Sequence, residues 1–244
     1  RGGGWEVAVR LTTPGDDPAA IAGEVASGSF VAALGGDGYL SAVARGCHES
    51  DAIFVPMPGG RGNDLCRALG IGTDPLARAC SLARLGFTSD EAGALSSDSL
   101  TSRVRPLDGM WVHSRDGVLL ALGIVSIGLD ARANILANES SLTSGPLAYG
   151  YGAFAALASH EPTEIVATVD GVERNMSGWI ASVSNSGRFG GGITLVDSSD
   201  MNDGILEVCH VGPLPMSRAL PVLASVVAGR AKTHPAIEVE SARV

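Results

Sequence analysis

Short apolar runs alternate with segments of helical apolar spacing along the first hundred residues. The apolar runs predict strands at 5–11, 30–34 and 52–58, because they are short and end at polar or glycine residues. The 3.6-residue spacing predicts helices at 17–27 and 39–46, between the strands, and at 63–70 and 74–86, after the last strand. This β-α-β-α rhythm is typical of a parallel, doubly wound sheet.

The ends of these predicted helices carry the expected signals. Asp17-Pro18 and Asp74-Pro75 place a capping carboxylate before a proline in the first turn. Gly70 follows the last apolar position of its helix, where a left-handed residue commonly ends a helix.

The pattern changes to strands in the second half. Six runs alternate apolar and polar residues, at 104–114, 117–128, 163–171, 175–186, 204–212 and 236–244. Asp-Gly pairs beginning at residues 108, 116, 170 and 203 supply turn chemistry for hairpins. Helices are predicted at 144–159 and 216–230, and a polar loop at 88–103. We therefore expect an α/β domain over residues 1–105 and a mainly antiparallel β domain with helices over 106–244.

Composition removes several classes of function. The net charge of −9 argues against non-specific nucleic-acid binding, which needs a basic surface. Lys232 is the only lysine, so a P-loop, which places lysine after its glycines, is excluded. The four cysteines are irregularly spaced and read as reduced apolar residues of a cytosolic protein. Apolar runs are all too short to predict a membrane span.

Two glycine loops stand at matching places in the α/β pattern. "GGDG" at 35–38 and "PGGRGND" at 58–64 each follow a strand and open a helix. Parallel strands end at the same edge of their sheet, where ligands bind in doubly wound folds. Glycine lets the backbone approach a phosphate closely, and a helix start offers unpaired N–H groups. This pair of loops therefore predicts a nucleotide phosphate site.

Each loop also contains a carboxylate, Asp37 or Asp64, which would repel a bare phosphate. With no lysine nearby, a divalent cation is the simplest bridge, and Mg²⁺ prefers carboxylate and phosphate oxygens together. Asp108 is a third candidate carboxylate, just after the boundary. The alternative is that both loops are tight turns in which aspartate caps a helix.

At this point the chain resembles the diacylglycerol kinase catalytic domain family, which includes sphingosine kinases and bacterial lipid kinases. The resemblance rests on five segments in the family's order, over about residues 7 to 240. They are "GGDG", "PGGRGND", "GPLAYGYGAFAAL" at 145–157, "SNSGRFGGG" at 184–192 and "MNDGILEV" at 201–208.

The resemblance implies an N-terminal α/β domain that binds ATP and a C-terminal β-sandwich-like domain, with lipid and nucleotide meeting in the cleft between them. Asp203 matches a structural Mg²⁺ ligand, helped by the backbone carbonyls of Asp200 and Ile205, and Asp37, Asp64 and Asp108 are further candidate ligands. The expected ATP-binding residues are Thr12, Gly35, Gly36, Asp37, Gly38, Tyr39, Gly60, Arg61, Asn63 and Asp64.

The chain departs from the family at several of these positions. Tyr39 stands where the family has threonine, Ser41-Ala42 replaces Asn-Glu, and Asp197 stands in place of a proline. Arg61 replaces the ATP-contacting threonine of the second loop, where it could hold a phosphate or block the site. The family's first strand would precede Arg1. Its general-base glutamate would lie beyond Val244, which leaves the catalytic residue unidentified and suggests a piece of a longer protein.

Three functions remain open on the sequence. The leading prediction is a Mg²⁺-dependent ATP:lipid kinase acting on diacylglycerol, a sphingoid base or a related lipid. We expect such a protein to be cytoplasmic and peripheral on the inner membrane face, with no nucleic-acid partner. The second is a catalytically degenerate relative that binds and regulates, and the third is an NAD kinase relative, which shares "GGDG". The sequence does not indicate the oligomeric state.

Overall fold

Two parallel strands, β1 (Phe30–Gly35) and β2 (Ile53–Pro58), carry the first part of the chain. They pair in register from Phe30 opposite Ile53 to Gly35 opposite Pro58, so both strands end at the same edge. The structure is a computed structural model that describes residues 7–85, 104–129, 131–132, 135–136, 162–227 and 235–243. The two strands confirm the predictions at 30–34 and 52–58.

Helix α1 (Pro18–Gly23) packs on helix α2 (Asp37–Ser50), which connects β1 to β2. The Asp17 carboxylate caps α1 by accepting a bond from the Ala19 N–H at 2.9 Å, as the sequence predicted. A Cβ at Gly46 would contact the Ala19 carbonyl oxygen and lie 2.7 Å from the Ala22 Cβ. Glycine at position 46 therefore permits the close crossing of the two helices.

Two further helices follow β2, α3 (Asp64–Ala68) and α4 (Pro75–Leu85). Gly70 has a φ of +68° just past α3, and the Asp74 carboxylate accepts a bond from the Leu76 N–H at 2.8 Å before α4. Both helices and their end signals agree with the prediction from the sequence.

The predicted strand at 5–11 is wrong over its described part, residues 7–11. These residues have no regular secondary structure, and Val7, Val9 and Leu11 are 72–88% exposed. Alternating apolar residues form a strand only beside a partner that completes the ladder. In the described part of the chain the parallel sheet consists of β1 and β2 alone.

The second half contains a four-stranded antiparallel sheet. Its spatial order is β12 (Ile237–Arg243), β11 (Ile205–Val211), β8 (Ile180–Ser184), β5 (Ile124–Gly128). Three hairpins accompany it: β3 (Met110–Ser114) with β4 (Gly117–Ala121), β6 (Val166–Val169) with β7 (Val172–Asn175), and β9 (Arg188–Phe189) with β10 (Ile193–Thr194). Predicted antiparallel pairing is thereby confirmed, whereas the sandwich arrangement of the domain stays a prediction.

Helix α5 (Met216–Val227) covers one end of this sheet and confirms most of the helix expected at 216–230. Its Ala219 and Val222 are buried with Leu129, Trp179 and Val211 in one apolar cluster. The Trp179 indole N–H, which would be costly to bury unpaired, donates to the Leu214 carbonyl at 2.9 Å. Among the described residues, no helix combines the length and apolar character needed to cross a bilayer.

Contacts between Cα atoms divide the chain into two compact units that are not contiguous in sequence. Unit 1 contains Arg1–Gly60, Gly70–Leu107 and Trp111–Leu120, and unit 2 contains Arg61–Leu69, Asp108–Met110 and Ala121–Val244. The second glycine loop is thus divided between the units after Gly60. The domain boundary expected after residue 105 stays a prediction, and the predicted helix at 144–159 and loop at 88–103 lie outside the described residues.

Candidate functional site

The two glycine loops meet backbone to backbone within unit 1. The Gly59 N–H donates to the Gly35 carbonyl at 2.9 Å, which continues the β1–β2 pairing past the end of the strands. A Cβ at Gly59 would lie 2.8 Å from the Gly35 nitrogen, and one at Gly36 would lie 3.4 Å from the Gly60 Cα. The backbone contact therefore requires glycine at position 59, whereas a Cβ at Gly36 would make an ordinary van der Waals contact.

Asp37 is the first residue of α2, directly after the N-cap residue Gly36. Its side chain is half-buried in the first turn, where the helix offers N–H groups and a positive partial charge. Gly38 follows it and has open space around the position of a Cβ. This start of a 14-residue helix offers backbone N–H groups of the kind that bind anions.

Tyr39 and Thr12 come together at the same loop. The Tyr39 ring covers Gly35 so closely that a Cβ there would lie 2.8 Å from the ring's Cγ. The Thr12 hydroxyl donates to the Tyr39 hydroxyl at 3.5 Å, a long hydrogen bond. The side chain that replaces the family's threonine therefore fills space beside the first loop and engages the threonine expected to touch nucleotide.

The second half of the second loop belongs to unit 2. Asn63 is buried and adopts the left-handed conformation, with a φ of +54°, immediately before α3. Arg61 is exposed, and whether it holds a phosphate or blocks the site stays a prediction. The Arg67 Nε donates to the Gly62 carbonyl at 3.2 Å and closes the loop back onto the helix.

Asp64 is buried, and its carboxylate binds the backbone of a distant glycine turn. Its Oδ2 accepts the Gly191 N–H at 2.9 Å and its Oδ1 accepts the Gly192 N–H at 2.6 Å. Gly190, Gly191 and Gly192 form the turn of the β9–β10 hairpin, and all three have positive φ. Two N–H donors thus compensate the buried charge; the expected magnesium contact of Asp64 stays a prediction.

Asp108 joins the turn that precedes β11. Its N–H donates to the Met201 carbonyl at 2.7 Å, and its carboxylate accepts the Gly204 N–H at 2.8 Å. In the same turn the Asp200 carboxylate accepts from Asn202 and the Asp203 carboxylate accepts from Ile205, each two residues onward. Asp108 is therefore bound to the turn that contains Asp200 and Asp203 and leads into β11 at Ile205.

No group of three or more histidine, cysteine, aspartate or glutamate side chains in the described ranges is arranged to hold a metal ion. The site expected around Asp203 was to use backbone carbonyls beside one carboxylate, so this finding leaves that expectation untested. The expected ligand assignments at Asp37, Asp64 and Asp108 also stay predictions.

Sequence reasoning missed the structural part played by Asn185. Its amide Nδ2 donates to two carbonyls, those of Asp108 at 2.8 Å and Leu122 at 3.1 Å. These two bonds fix which way the amide faces, and its fully buried Oδ1 has no partner among the described residues. Asn185 lies in the "SNSGRFGGG" segment, but the sequence does not identify its hydrogen-bond partners, which are 63 and 77 positions away.

Glu207 was also missed, because a charged residue in an alternating strand is ordinarily assigned to the outward face. It is buried in β11 and accepts the Ser199 hydroxyl at 2.6 Å, which ties the turn before β11 to the sheet. A charged residue at an inward position of an alternating strand was the one signal that could have revealed it.

Two family models match the chain. The diacylglycerol kinase catalytic domain matches residues 2–91, and the YegS C-terminal NAD kinase beta sandwich-like domain matches residues 123–244, half of the chain. The two glycine loops fall in the first match, and the triple-glycine turn and the turn before β11 fall in the second.

Curated relatives are similar over most of the chain. A diacylglycerol kinase of Mycobacterium tuberculosis is 25% identical over 77% of this chain, which spans 57% of that protein's length. A probable lipid kinase YegS-like protein of Xanthomonas euvesicatoria is 29% identical over 93% of this chain and 71% of its own.

Solved structures share the fold. A putative diacylglycerol kinase from Bacillus anthracis superposes over 95% of this chain and 71% of its own with a TM-score of 0.67, at 20% identity. A second structure, of a diacylglycerol kinase from the same organism, gives a TM-score of 0.63 over 96% of this chain and 71% of its own, at 16% identity.

Proposed function

The chain belongs to the diacylglycerol kinase catalytic domain family, and we propose that it is the core of an ATP-dependent lipid kinase. The acceptor is a hydroxyl of diacylglycerol, a sphingoid base or a related lipid. Relatives named as a diacylglycerol kinase and a probable lipid kinase support phosphate transfer to a lipid over transfer to NAD⁺.

The single observation that carries the proposal is the contact between the two glycine loops. Gly35 and Gly59 are joined at 2.9 Å at the common end of β1 and β2, and α2 starts from the first loop. Loop amides and the α2 N-terminus would hold the phosphate oxygens of ATP, since preorganised N–H donors stabilise charge that develops in transfer.

The donor set fits magnesium at one carboxylate. Asp37 lies at the start of α2, where its oxygens and those of a bound phosphate could share a hard cation. When bound, Mg²⁺ would neutralise charge on the phosphates. The acceptor oxygen forms the new bond to the γ-phosphorus as the bond to ADP breaks, and its proton passes to a general base. The residue that accepts this proton stays unidentified.

Phosphate transfer tests the proposal directly. The full-length protein is incubated with γ-labelled ATP and micelles containing diacylglycerol, monoacylglycerol or sphingosine, with Mg²⁺ or with EDTA. We expect labelled lipid phosphate from at least one acceptor only with Mg²⁺, and less from the Asp37→Asn variant. Absence of labelled lipid under every Mg²⁺ condition would overturn the lipid kinase assignment. Labelled NADP⁺ from a parallel incubation with NAD⁺ in place of the lipid would support the NAD kinase alternative.

One observation favours a second function, a relative that binds without catalysis. Position 39 is a smaller threonine in the family. Here the Tyr39 ring fills the space beside Gly35, and its hydroxyl accepts a hydrogen bond from Thr12. If the ring hinders the nucleotide, wild-type protein binds MgATP weakly and Tyr39→Thr tightens binding in calorimetry. Equal affinity in the two proteins would remove this alternative.

A further inference from the structure

The Asp64 carboxylate is hydrogen-bonded to a glycine turn that is far from it in sequence. Asp64 opens α3, and its two oxygens accept the N–H groups of Gly191 and Gly192 at 2.9 and 2.6 Å. The turn residues Gly190, Gly191 and Gly192 have φ values of 61°, 89° and 110°. Successive N–H groups in such left-handed turns point to the same side and form a concave site for an anion.

The burial of Asp64 makes its carboxylate depend on this contact. Asp64 is 9% exposed, so its charge has lost most of its water and depends on protein donors. Hydrogen bonds to a charged acceptor are about twice as strong as those between neutral groups. The five-residue helix α3 is too short to supply a comparable field.

The glycine turn is also fitted to the helix that carries Asp64. A Cβ at Gly192 would lie 3.5 Å from both Cδ and Nε of Arg67, and its φ of +110° disfavours any other residue. The Arg67 Nε in turn donates to the Gly62 carbonyl at 3.2 Å. Residues 62–67 are thus held by two sets of contacts. The Asp64 carboxylate binds the glycine turn, and the Arg67 guanidinium binds the Gly62 carbonyl.

We propose that Asp64 is a positioning residue, which fixes the second glycine loop by clamping the Gly191–Gly192 amides and does not act as a magnesium ligand. This inference rests on the proposed function, since the loop is expected to hold ATP. It assigns a part in nucleotide binding to the triple-glycine turn. Asn63 directly precedes the clamped residue, in the strained left-handed conformation, so its position depends on the clamp.

The test uses the full chain and four proteins besides wild type: Asp64→Asn, Gly192→Ala, the double variant, and Asp116→Asn as a control. Asp116 is exposed in the β3–β4 turn, so its variant loses the same charge elsewhere. Asparagine at 64 would present an N–H to one of the two donors, which breaks one bond of the clamp. The readouts are hydrogen exchange of the Gly191 and Gly192 amides by NMR, and MgATP affinity by calorimetry.

We expect exchange at Gly192 or Gly191 to rise at least tenfold in Asp64→Asn and the MgATP dissociation constant to rise about tenfold, a change of about 1.4 kcal/mol. Gly192→Ala should weaken MgATP binding similarly, and the loss in the double variant should be smaller than the sum of the two single losses, because both substitutions act on the same clamp. In the phosphate-transfer assay the half-saturating Mg²⁺ concentration at saturating ATP should stay unchanged. Asp116→Asn should behave as wild type.

Three results would overturn the inference. Unchanged amide exchange in Asp64→Asn would show that Asp64 does not clamp the glycine turn. Additive losses of MgATP affinity in the double variant would show that Asp64 and the turn act independently. A raised Mg²⁺ requirement with unaltered Gly191 and Gly192 exchange would make Asp64 a metal ligand. If wild-type protein binds no MgATP, the proposed function and the nucleotide role both fail, while the exchange measurement still decides whether the clamp exists.

Discussion

Asp37 and Asp64 carry the same charge at equivalent places, each as the first residue of a helix after a glycine loop. Their surroundings differ: Asp37 is half-buried at the start of a long helix, whereas Asp64 is buried against two amides of a glycine turn. A partner 127 residues away cannot be read from local spacing. The sequence could therefore predict that both carboxylates need compensation, but not that amides supply it at Asp64.

Gly59 is the residue at which the loop contact is most easily tested. Replacing it with alanine places a Cβ 2.8 Å from the Gly35 nitrogen and 3.1 Å from its Cα, where backbone must shift. We expect Gly59→Ala to lower the free energy of unfolding by about 1–3 kcal/mol, the usual cost of overpacking. Urea denaturation measures it.

Gly72→Ala is the matched control, because a Cβ there meets nothing within 4 Å and the position has no positive φ. Its free energy of unfolding should stay within about 0.5 kcal/mol of wild type. Equal effects of the two substitutions would contradict the close loop contact.

Cys47 predicts a pH dependence of stability. Burial raises the pKa of this thiol from 9.0 to about 11. The folded protein then holds the proton more tightly than the unfolded chain does, so the stabilisation is complete below about pH 9 and is lost as the pH rises toward 11. Urea midpoints measured from pH 8 to 11 should fall less steeply for Cys47→Ala than for wild type.

Cys80 supplies the control for that experiment, because it is exposed. Cys80→Ala should keep the wild-type pH dependence, and an identical slope in all three proteins would contradict the assignment to Cys47. In native protein a thiol reagent should label Cys80 much faster than the buried Cys47, Cys66 and Cys209.

At the scale of elements, spacing and end signals predicted most helices and strands correctly. Asp17, Asp74 and Gly70 act locally, within a few residues, which is why their helices could be located. The strand at 5–11 failed because strands depend on partners that the letters do not identify. Strand β7 (Val172–Asn175) was missed, since its sequence "VERN" is polar and it exists through pairing with β6.

Asn185 connects elements that the sequence leaves unrelated, and its loss should be costly. Asn185→Ala would remove the two hydrogen bonds that its side-chain amide donates to the carbonyls of Asp108 and Leu122. Each such bond contributes about 0.5–1.5 kcal/mol to the free energy of unfolding, so a clear fall in the urea midpoint is expected. Asn202→Ala, at an exposed asparagine in the turn before β11, should have little effect. A midpoint for Asn185→Ala close to that of Asn202→Ala would contradict this role.

Family membership and the geometry of the two loops together indicate what the whole chain does. The five segments that carry the resemblance could be recognised in the sequence because their order, more than any single one, is specific. The β1–β2 edge then follows from parallel pairing, which puts both loops at one end. The lipid acceptor could not be predicted in the same way, because apolar pockets accept many acyl chains.

Calorimetric titration of ATP into the full-length protein shows whether the paired glycine loops hold the phosphates of MgATP. With Mg²⁺ present, we predict saturable binding with a dissociation constant between about 1 μM and 1 mM, which is the usual range of KM values for enzyme substrates. Binding should be lost with EDTA and strongly weakened in Gly59→Ala, while Gly72→Ala binds as wild type. Affinity that depends neither on Mg²⁺ nor on Gly59 would contradict the account.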